Sequence, residues 1–400
     1  MENRGYIKDF IEKMKKIEEN LLLFLDKEGN DESELTKLIQ ILDDQKIREN
    51  KYDLKAMLHL ISRISDNYHR TRPFFGKIER ILKNFESNIK NFFTNFEIFN
   101  IFKKNKRILL FLFEEKILIP DDSIAHIITS VKYRRYFYPQ YFYNEFKTFY
   151  SEKLLKEINT KSPEVLKDDF DQKRKIGEND QHICELIQND MITEFTDYCI
   201  QNELSLVAEI KPSLFETNRF LLKKKLILIE YCAFYGSIQI FNYLYNNNVK
   251  LTPTLWLCVI HSNNSDLVRL LEEKKVEPPS GTFQHVLKET IKCHNVNIMN
   301  YVRANLFRNE KPDLNNSYFC QGLKYFNFIE FSERVDEDQL ENFLRFCHND
   351  YKTEKAQTNI FYDFCKFDYI SIVEYILKNH KSIINPENIQ NFSFLNIVFI

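Results

Sequence analysis

Apolar residues recur at helical spacing along most of the chain. Ile7, Phe10, Ile11, Met14, Ile17, Leu21 and Leu22 form one stripe at the three- and four-residue intervals of a helix face. A polar break at Asp26 to Ser33 ends it. Leu35, Leu38, Ile39 and Leu42 start a second stripe, and Leu54, Met57, Leu58, Ile61 and Ile64 a third. Arg72-Pro73 closes the third, because a residue before proline is pushed out of the helical region. Ile78, Ile81, Leu82 and Phe85 carry the pattern on, so the first hundred residues predict antiparallel helices joined by short loops. Ile108 to Ile119 is densely apolar and stops at Pro120. Asp121-Asp122-Ser123 then offers capping oxygens for a helix through Ile124, Ile127 and Ile128. The charged stretch Lys161 to Asp180, with Pro163 and Gly177 inside it, predicts a loop or weak boundary. Helical pairs resume at His182 to Ile187 and Ile192 to Ile200. Pro212-Ser213 opens another short segment, and Leu226 begins the clearest repetition.

That repetition is a phrase. Ile229 to Leu244 reads IEYCAFYGSIQIFNYL, Leu255 to Leu271 LWLCVIHSNNSDLVRLL, Lys288 to Val302 KETIKCHNVNIMNYV, and Tyr362 to Leu377 YDFCKFDYISIVEYIL. Each is an apolar helix, a turn residue and a second apolar helix. Ile240, Leu267 and Ile298 hold one place in successive units, in steps of 27 and 31 residues. Ile372 lies a further 74 on, about two steps, which predicts a degenerate unit between Asn315 and Asn349. One helix pair cannot bury its own apolar face, so neighbours must stack. A stacked solenoid works by surface recognition rather than through a deep catalytic pocket.

These units resemble ankyrin repeats. CAFYGSIQIFNYL followed by LTPTLWLCVIHSNNSDLVRLLEE, with KRKIGENDQHICELI and NKRILLFLFEEKILIP upstream, is similar to a large family of protist ankyrin-repeat proteins of the trichomonad type. In that family a helical N-terminal domain of unknown function precedes the array. The likeness is most specific from Lys173 to Leu306. It implies an all-α ankyrin-repeat solenoid over residues 226–390. Before it would come a helical N-terminal domain at 1–107 and linking helix pairs, degenerate repeats, at 108–225; an apolar segment at 391–400 would follow. It implies a binding role and supplies neither ligand nor catalytic residues. Departures are plain. The usual Thr-Pro-Leu-His is replaced by Ile227-Leu228-Ile229-Glu230, Thr254-Leu255-Trp256-Leu257 and Ile360-Phe361-Tyr362-Asp363, which predicts less uniform finger loops. The turn glycine survives as Gly236. Its equivalents are Asn263, His294 and Asp368, residue types that tolerate turn conformations best after glycine.

Composition narrows the chemistry. Apolar residues make up 44% of the 400, enough for a substantial core, and the net charge of −2 gives no global field for nucleic acid or an anionic membrane. No apolar run is long enough to span a bilayer, and Met1 to Phe10 lacks the apolar core of a secretory signal. The eight cysteines are scattered without CxxC spacing, which favours reduced thiols in a cytoplasmic or nuclear protein. Only seven glycines occur and none are clustered, so no phosphate-cradling loop and no GxSxG elbow can be written. No cofactor is expected.

The remaining constellations have ordinary readings beside the functional ones. Cys293-His294 and Cys347-His348 suggest zinc, but neighbouring residues on a helix diverge, so turn and packing roles are expected and no metal. Cys–His catalysis has no local signature here. Val131 to Tyr150 interleaves aromatics with Lys132, Arg134, Arg135 and Lys147, a mixture able to stack bases and contact phosphates. The acidic net charge, the general aromatic excess and Pro139 weigh against it. Lys223-Lys224-Lys225 reads as a solvated helix start, Trp256 as a core residue, and Tyr231, Tyr243, Tyr301 and Tyr375 as core or groove-edge residues.

Ankyrin geometry places the residues just before each turn on the concave side of the stack. Phe234 and Tyr235, His261 and Ser262, Lys292 and Cys293, and Lys366 and Phe367 are therefore the expected binding residues. The reading that follows is a non-enzymatic protein-binding module or adaptor whose partner is another protein. The alternatives are an enzyme or metal protein with its site in the N-terminal helical domain, or nucleic-acid binding through residues 131–150. The ending FLNIVFI is expected either to fold back on the last repeat or to leave a sticky end.

Overall fold

The computed structural model describes residues 6–29, 31–69, 74–307, 317–332 and 360–379. Every regular element among them is helical; the one pairing of extended backbone is an isolated antiparallel bridge between Glu209 and Ile227. The all-α expectation therefore holds. No helix among the described residues is long and apolar enough to cross a membrane. Cys184, Cys199, Cys232, Cys258 and Cys293 are free and buried.

The chain divides into two compact units, and the division does not follow the expected chain order of 1–107, 108–225 and 226–390. One unit gathers the described residues of Met1–Lys27, Glu32–Leu60 and Lys311–Ile400; the other gathers those of Glu28–Asp31 and Ile61–Glu310. The physical reason lies in the first helix. Tyr6–Asp26 buries Phe10, Met14, Ile17 and Leu21, and it packs on Phe328–Ser332 as well as on Glu32–Asp44. The Glu18 carboxylate reaches across to accept the backbone N–H groups of Phe328 and Ile329, at 2.5 and 3.1 Å, capping a short helix whose first donors would otherwise be unsatisfied.

In the same unit, Ser317–Tyr325 pairs with Phe328–Ser332 and packs on Ile360–Lys366, which pairs with Ile370–Asn379. A helix pair thus stands inside the interval where a degenerate repeat was expected. Cys347, His348 and the segment Phe394 to Ile400 lie outside the described residues.

In the second unit, four helix pairs follow one another: His182–Gln188 with Ile192–Gln201, Leu228–Tyr235 with Ile238–Asn246, Leu255–Ser262 with Ser265–Glu273, and Gln284–Lys292 with Val296–Tyr301. The first helices pack side by side in that order. Ile240, Leu267 and Ile298, the positions that set the register, are all buried between them. The turns share one construction. Asp190, Gly236, Asn263 and His294 have φ of +51°, +76°, +54° and +54°. After three of them the next residue's N–H returns to a carbonyl five residues back: Met191 to Leu186, Ser237 to Cys232 and Asn295 to Thr290. This is the left-handed helix stop that satisfies orphan carbonyls and releases the chain into the next helix.

Upstream, Lys106–Glu114 is apolar on all faces from Ile108 to Phe113 and is buried by Phe74–Asn84, Asn95–Phe102 and Phe170–Ile176. Its helix starts where Asn105 accepts the N–H of Ile108, and Asp121 does the same for Ile124.

Candidate functional site

The expected binding residues are not all open to solvent. In the second unit Phe234, His261 and Cys293 are buried, while Tyr235, Ser262 and Lys292 are half-buried. The covering element is the short Arg219–Lys223 helix, whose start is capped by the Asn218 side chain. Its Phe220 ring stacks on Phe234 at 5.8 Å between centroids and lies 4.5 Å from the His261 ring. His261 in turn stacks on Phe234 at 4.9 Å. These three side chains are therefore packing groups rather than exposed recognition groups. In the other unit Lys366 is exposed, with its ammonium 5.4 Å from the centre of the half-buried Phe367 ring.

Stacking brings together a polar cluster. His261, at the end of one first helix, places Nε2 2.9 Å from Glu289 Oε1 on the next. Lys292 donates to the same oxygen at 2.5 Å, and its ammonium lies 5.5 Å from the centre of the Phe220 ring. Cys293 Sγ lies 3.6 Å from His261 Nδ1 and 3.7 Å from Nε2. Glu289 and Cys293 are four residues apart, so one helical turn carries both to the same face. Burial pushes the Glu289 carboxyl up, but the Lys292 and His261 charges overcome it and hold the group down at about 2. Burial pushes the Cys293 thiol well above its ordinary value. A nucleophilic cysteine needs the reverse shift, an approach path, and a base nitrogen in line with the sulfur. Here the nearly equal distances put the sulfur in line with neither nitrogen's lone pair.

The turns also hold one another. Asp190 accepts the N–H groups of Gln239 and Ile240 in the next pair, each at 3.0 Å. Ser237 Oγ donates to the Ile187 carbonyl. The Asn295 amide donates to Asn263 Oδ1 at 2.8 Å. The segments that lead into successive helix pairs are tied by a different device. Glu230 accepts its own helix's Ile227 N–H at 3.1 Å and the Thr252 hydroxyl at 2.6 Å. Thr252-Pro253 directly precedes the Leu255–Ser262 helix, so a Thr-Pro does open this unit, two residues before the Thr254-Leu255-Trp256-Leu257 stretch. Trp256 is a core residue as expected: its Nε1 donates to the Val276 carbonyl at 2.8 Å and its ring meets Phe283 edge-on.

Tyr235 leads to a separate feature. It lines a cleft of about 620 Å³ together with Phe75, Ile176, Lys175 and the Glu79–Arg107 ion pair. Burial pushes the Glu79 carboxyl up, and the Arg107 guanidinium 2.5 Å away offsets this only in part.

In the stretch 131–150 the basic residues Lys132, Arg134, Arg135 and Lys147 are exposed, but most of the rings are used internally. Tyr133, Tyr138, Tyr141, Phe142, Phe146 and Tyr150 are buried. The Tyr138, Tyr141 and Tyr150 hydroxyls donate to the carbonyls of Lys103, Arg174 and Pro139. Rings fixed in this way are not presented as a base-stacking platform.

No protein-family model, no curated protein and no solved structure matches the chain.

Proposed function

We propose that this chain is an ankyrin-type assembly of helix pairs that acts, without catalysis, as a module binding another protein. One observation carries the reading: a left-handed turn residue recurs at Asp190, Gly236, Asn263 and His294 in four successive, side-by-side helix pairs. Such a scaffold keeps its register through the turns and leaves the residues around them to vary, which suits recognition more than chemistry. The resemblance to protist ankyrin-repeat proteins supports the same reading.

The binding surface we assign centres on Tyr235 and the cleft it borders. Ile176, 54% exposed, and Tyr235 offer apolar contact there; Lys175 and Glu79–Arg107 offer charge. Buried aromatic anchors ringed by polar groups are the usual energetic centre of a protein interface. Phe234, His261 and Cys293 are left out of this surface because altering them would disturb packing.

The test is capture from a cell extract by the intact chain beside a Tyr235→Ala, Ile176→Asp variant, with helicity compared by circular dichroism. A specific protein held by the first and lost by a fully folded variant supports the assignment. Equal retention of that protein by both would move the binding surface elsewhere.

A further inference from the structure

We propose that His261, Glu289 and Cys293 bind a transition-metal cation of Zn²⁺ type across the boundary between two helix pairs. The three residues supply one imidazole nitrogen, one carboxylate oxygen and one sulfur, and their ligand atoms all lie within 4.8 Å of one another. Borderline-soft divalent ions favour this mixed N, O, S donor set. Metal–ligand bonds of about 2.0–2.3 Å arranged tetrahedrally put a sulfur and a nitrogen ligand about 3.5 Å apart. Cys293 Sγ already stands 3.6 and 3.7 Å from the two His261 nitrogens.

Two adjustments admit the ion. The imidazole turns about its Cβ–Cγ bond, so that a nitrogen lone pair faces the space between sulfur and carboxylate. Lys292, whose side chain is 19% exposed, releases Glu289 and moves to solvent. Its ammonium and the ion compensate the same carboxylate, so one replaces the other. Binding converts the Cys293 thiol to thiolate and passes its proton to solvent. Phe220 and Phe234 enclose the imidazole in an apolar shell, which strengthens the ion's electrostatic hold. Water from the Lys292 side completes four ligands. With ligands on both Leu255–Ser262 and Gln284–Lys292, the ion would clamp two neighbouring pairs together. The three ligands are none of the residues assigned to the protein-binding surface, although Phe234, which stacks on His261, also meets the Tyr235 ring at 5.1 Å.

Titration of the full, reduced chain with Co²⁺ tests this. The expected result is saturable one-to-one binding, with a thiolate-to-cobalt band in the near ultraviolet, visible bands of a four-coordinate ion, and loss of both when Zn²⁺ is added. Cys293→Ser should remove the thiolate band, and Glu289→Gln should keep the band while weakening binding at least about 10-fold. No band in the intact chain, or an undiminished band in Cys293→Ser, overturns the proposal. X-ray absorption on the Zn²⁺-loaded intact chain needs no variant: one sulfur among nitrogen and oxygen ligands is expected, and two or more sulfurs per zinc would place the ion elsewhere.

Discussion

The Asp190 carboxylate accepts the backbone N–H of Ile240 at 3.0 Å, tying the turn of one helix pair to the start of the second helix in the next. Its other oxygen takes the N–H of Gln239. Asp190 is thus both a left-handed turn residue and a helix cap for its neighbour. Asp190→Ala removes both acceptances and should cost about 2 kcal/mol, while Asp190→Asn, keeping one oxygen, should cost less. Urea unfolding followed by the fluorescence of Trp256, the single tryptophan, measures both; an unchanged midpoint for Asp190→Ala would contradict the assignment.

Gly236 and Lys275 occupy the same kind of backbone position with opposite chemistry. Gly236 has φ +76°, and a Cβ built there would meet Ser262 at 3.4 Å, an ordinary contact. The penalty of Gly236→Ala is therefore conformational, about 1–2 kcal/mol. Lys275, exposed with φ +53°, bears that penalty already. Lys275→Gly should gain up to about 1 kcal/mol. Shifts of the same sign in the two variants would show that the left-handed turns do not govern these positions.

Lys106 lies in the core, with its Nζ 2.8 Å from the Leu214 carbonyl and 3.1 Å from that of Tyr136. Burial pulls its pKa from 10.5 down to about 7, with Glu216 opposing. The neutral amine keeps two N–H groups, one for each carbonyl. Between pH 7 and 10.5 the unfolded chain holds a proton that the folded chain has released. Stability should therefore rise with pH across that window, by up to about 1.4 kcal/mol per unit. Lys106→Met should flatten the rise, which melting temperatures at pH 7, 8, 9 and 10 would show.

Glu289 has the opposite pH signature. Its folded pKa of about 2 lies below the ordinary 4.5, so its stabilisation is complete above 4.5 and disappears as pH falls toward 2. Glu289→Gln should remove that acid-side slope. It should also lower stability at neutral pH by about 1–3 kcal/mol, because Lys292 and His261 lose their carboxylate. A variant with the same acid transition as the parent would place the responsible carboxylate elsewhere.

Much of the local architecture could be read from residue order. The register of Ile240, Leu267, Ile298 and Ile372 aligned Gly236 with Asn263, His294 and Asp368, and all four have positive φ. Phe326 could not be found that way. It has φ +56° although an aromatic residue is an unusual choice there. His59 and Tyr369 hold it, stacking on its ring at 4.9 and 4.6 Å. Asp368 was visible as a turn residue, but its partners, Lys55 at 2.8 Å and His59 at 3.0 Å, are remote in sequence.

The sequence by itself determined most helices and the recurring turns, because capping, left-handed turns and apolar periodicity act over at most a few residues. It missed the helix Phe170–Ile176, which lies inside the charged stretch read as a loop, and it put a helix start at Lys223, where a helix ends. Tertiary structure alone decided which helices meet and which side chains see solvent. Phe220 lies outside the repeated phrase, so nothing in the phrase reveals that it covers Phe234 and His261. Cys293 meets His261, rather than the adjacent His294, because a helix sends consecutive side chains apart while stacking brings the ends of successive first helices together. The grouping of the Tyr6–Asp26 helix with helices near residues 320–379 likewise depends on two amphipathic faces finding each other, and apolar burial specifies no sequence distance.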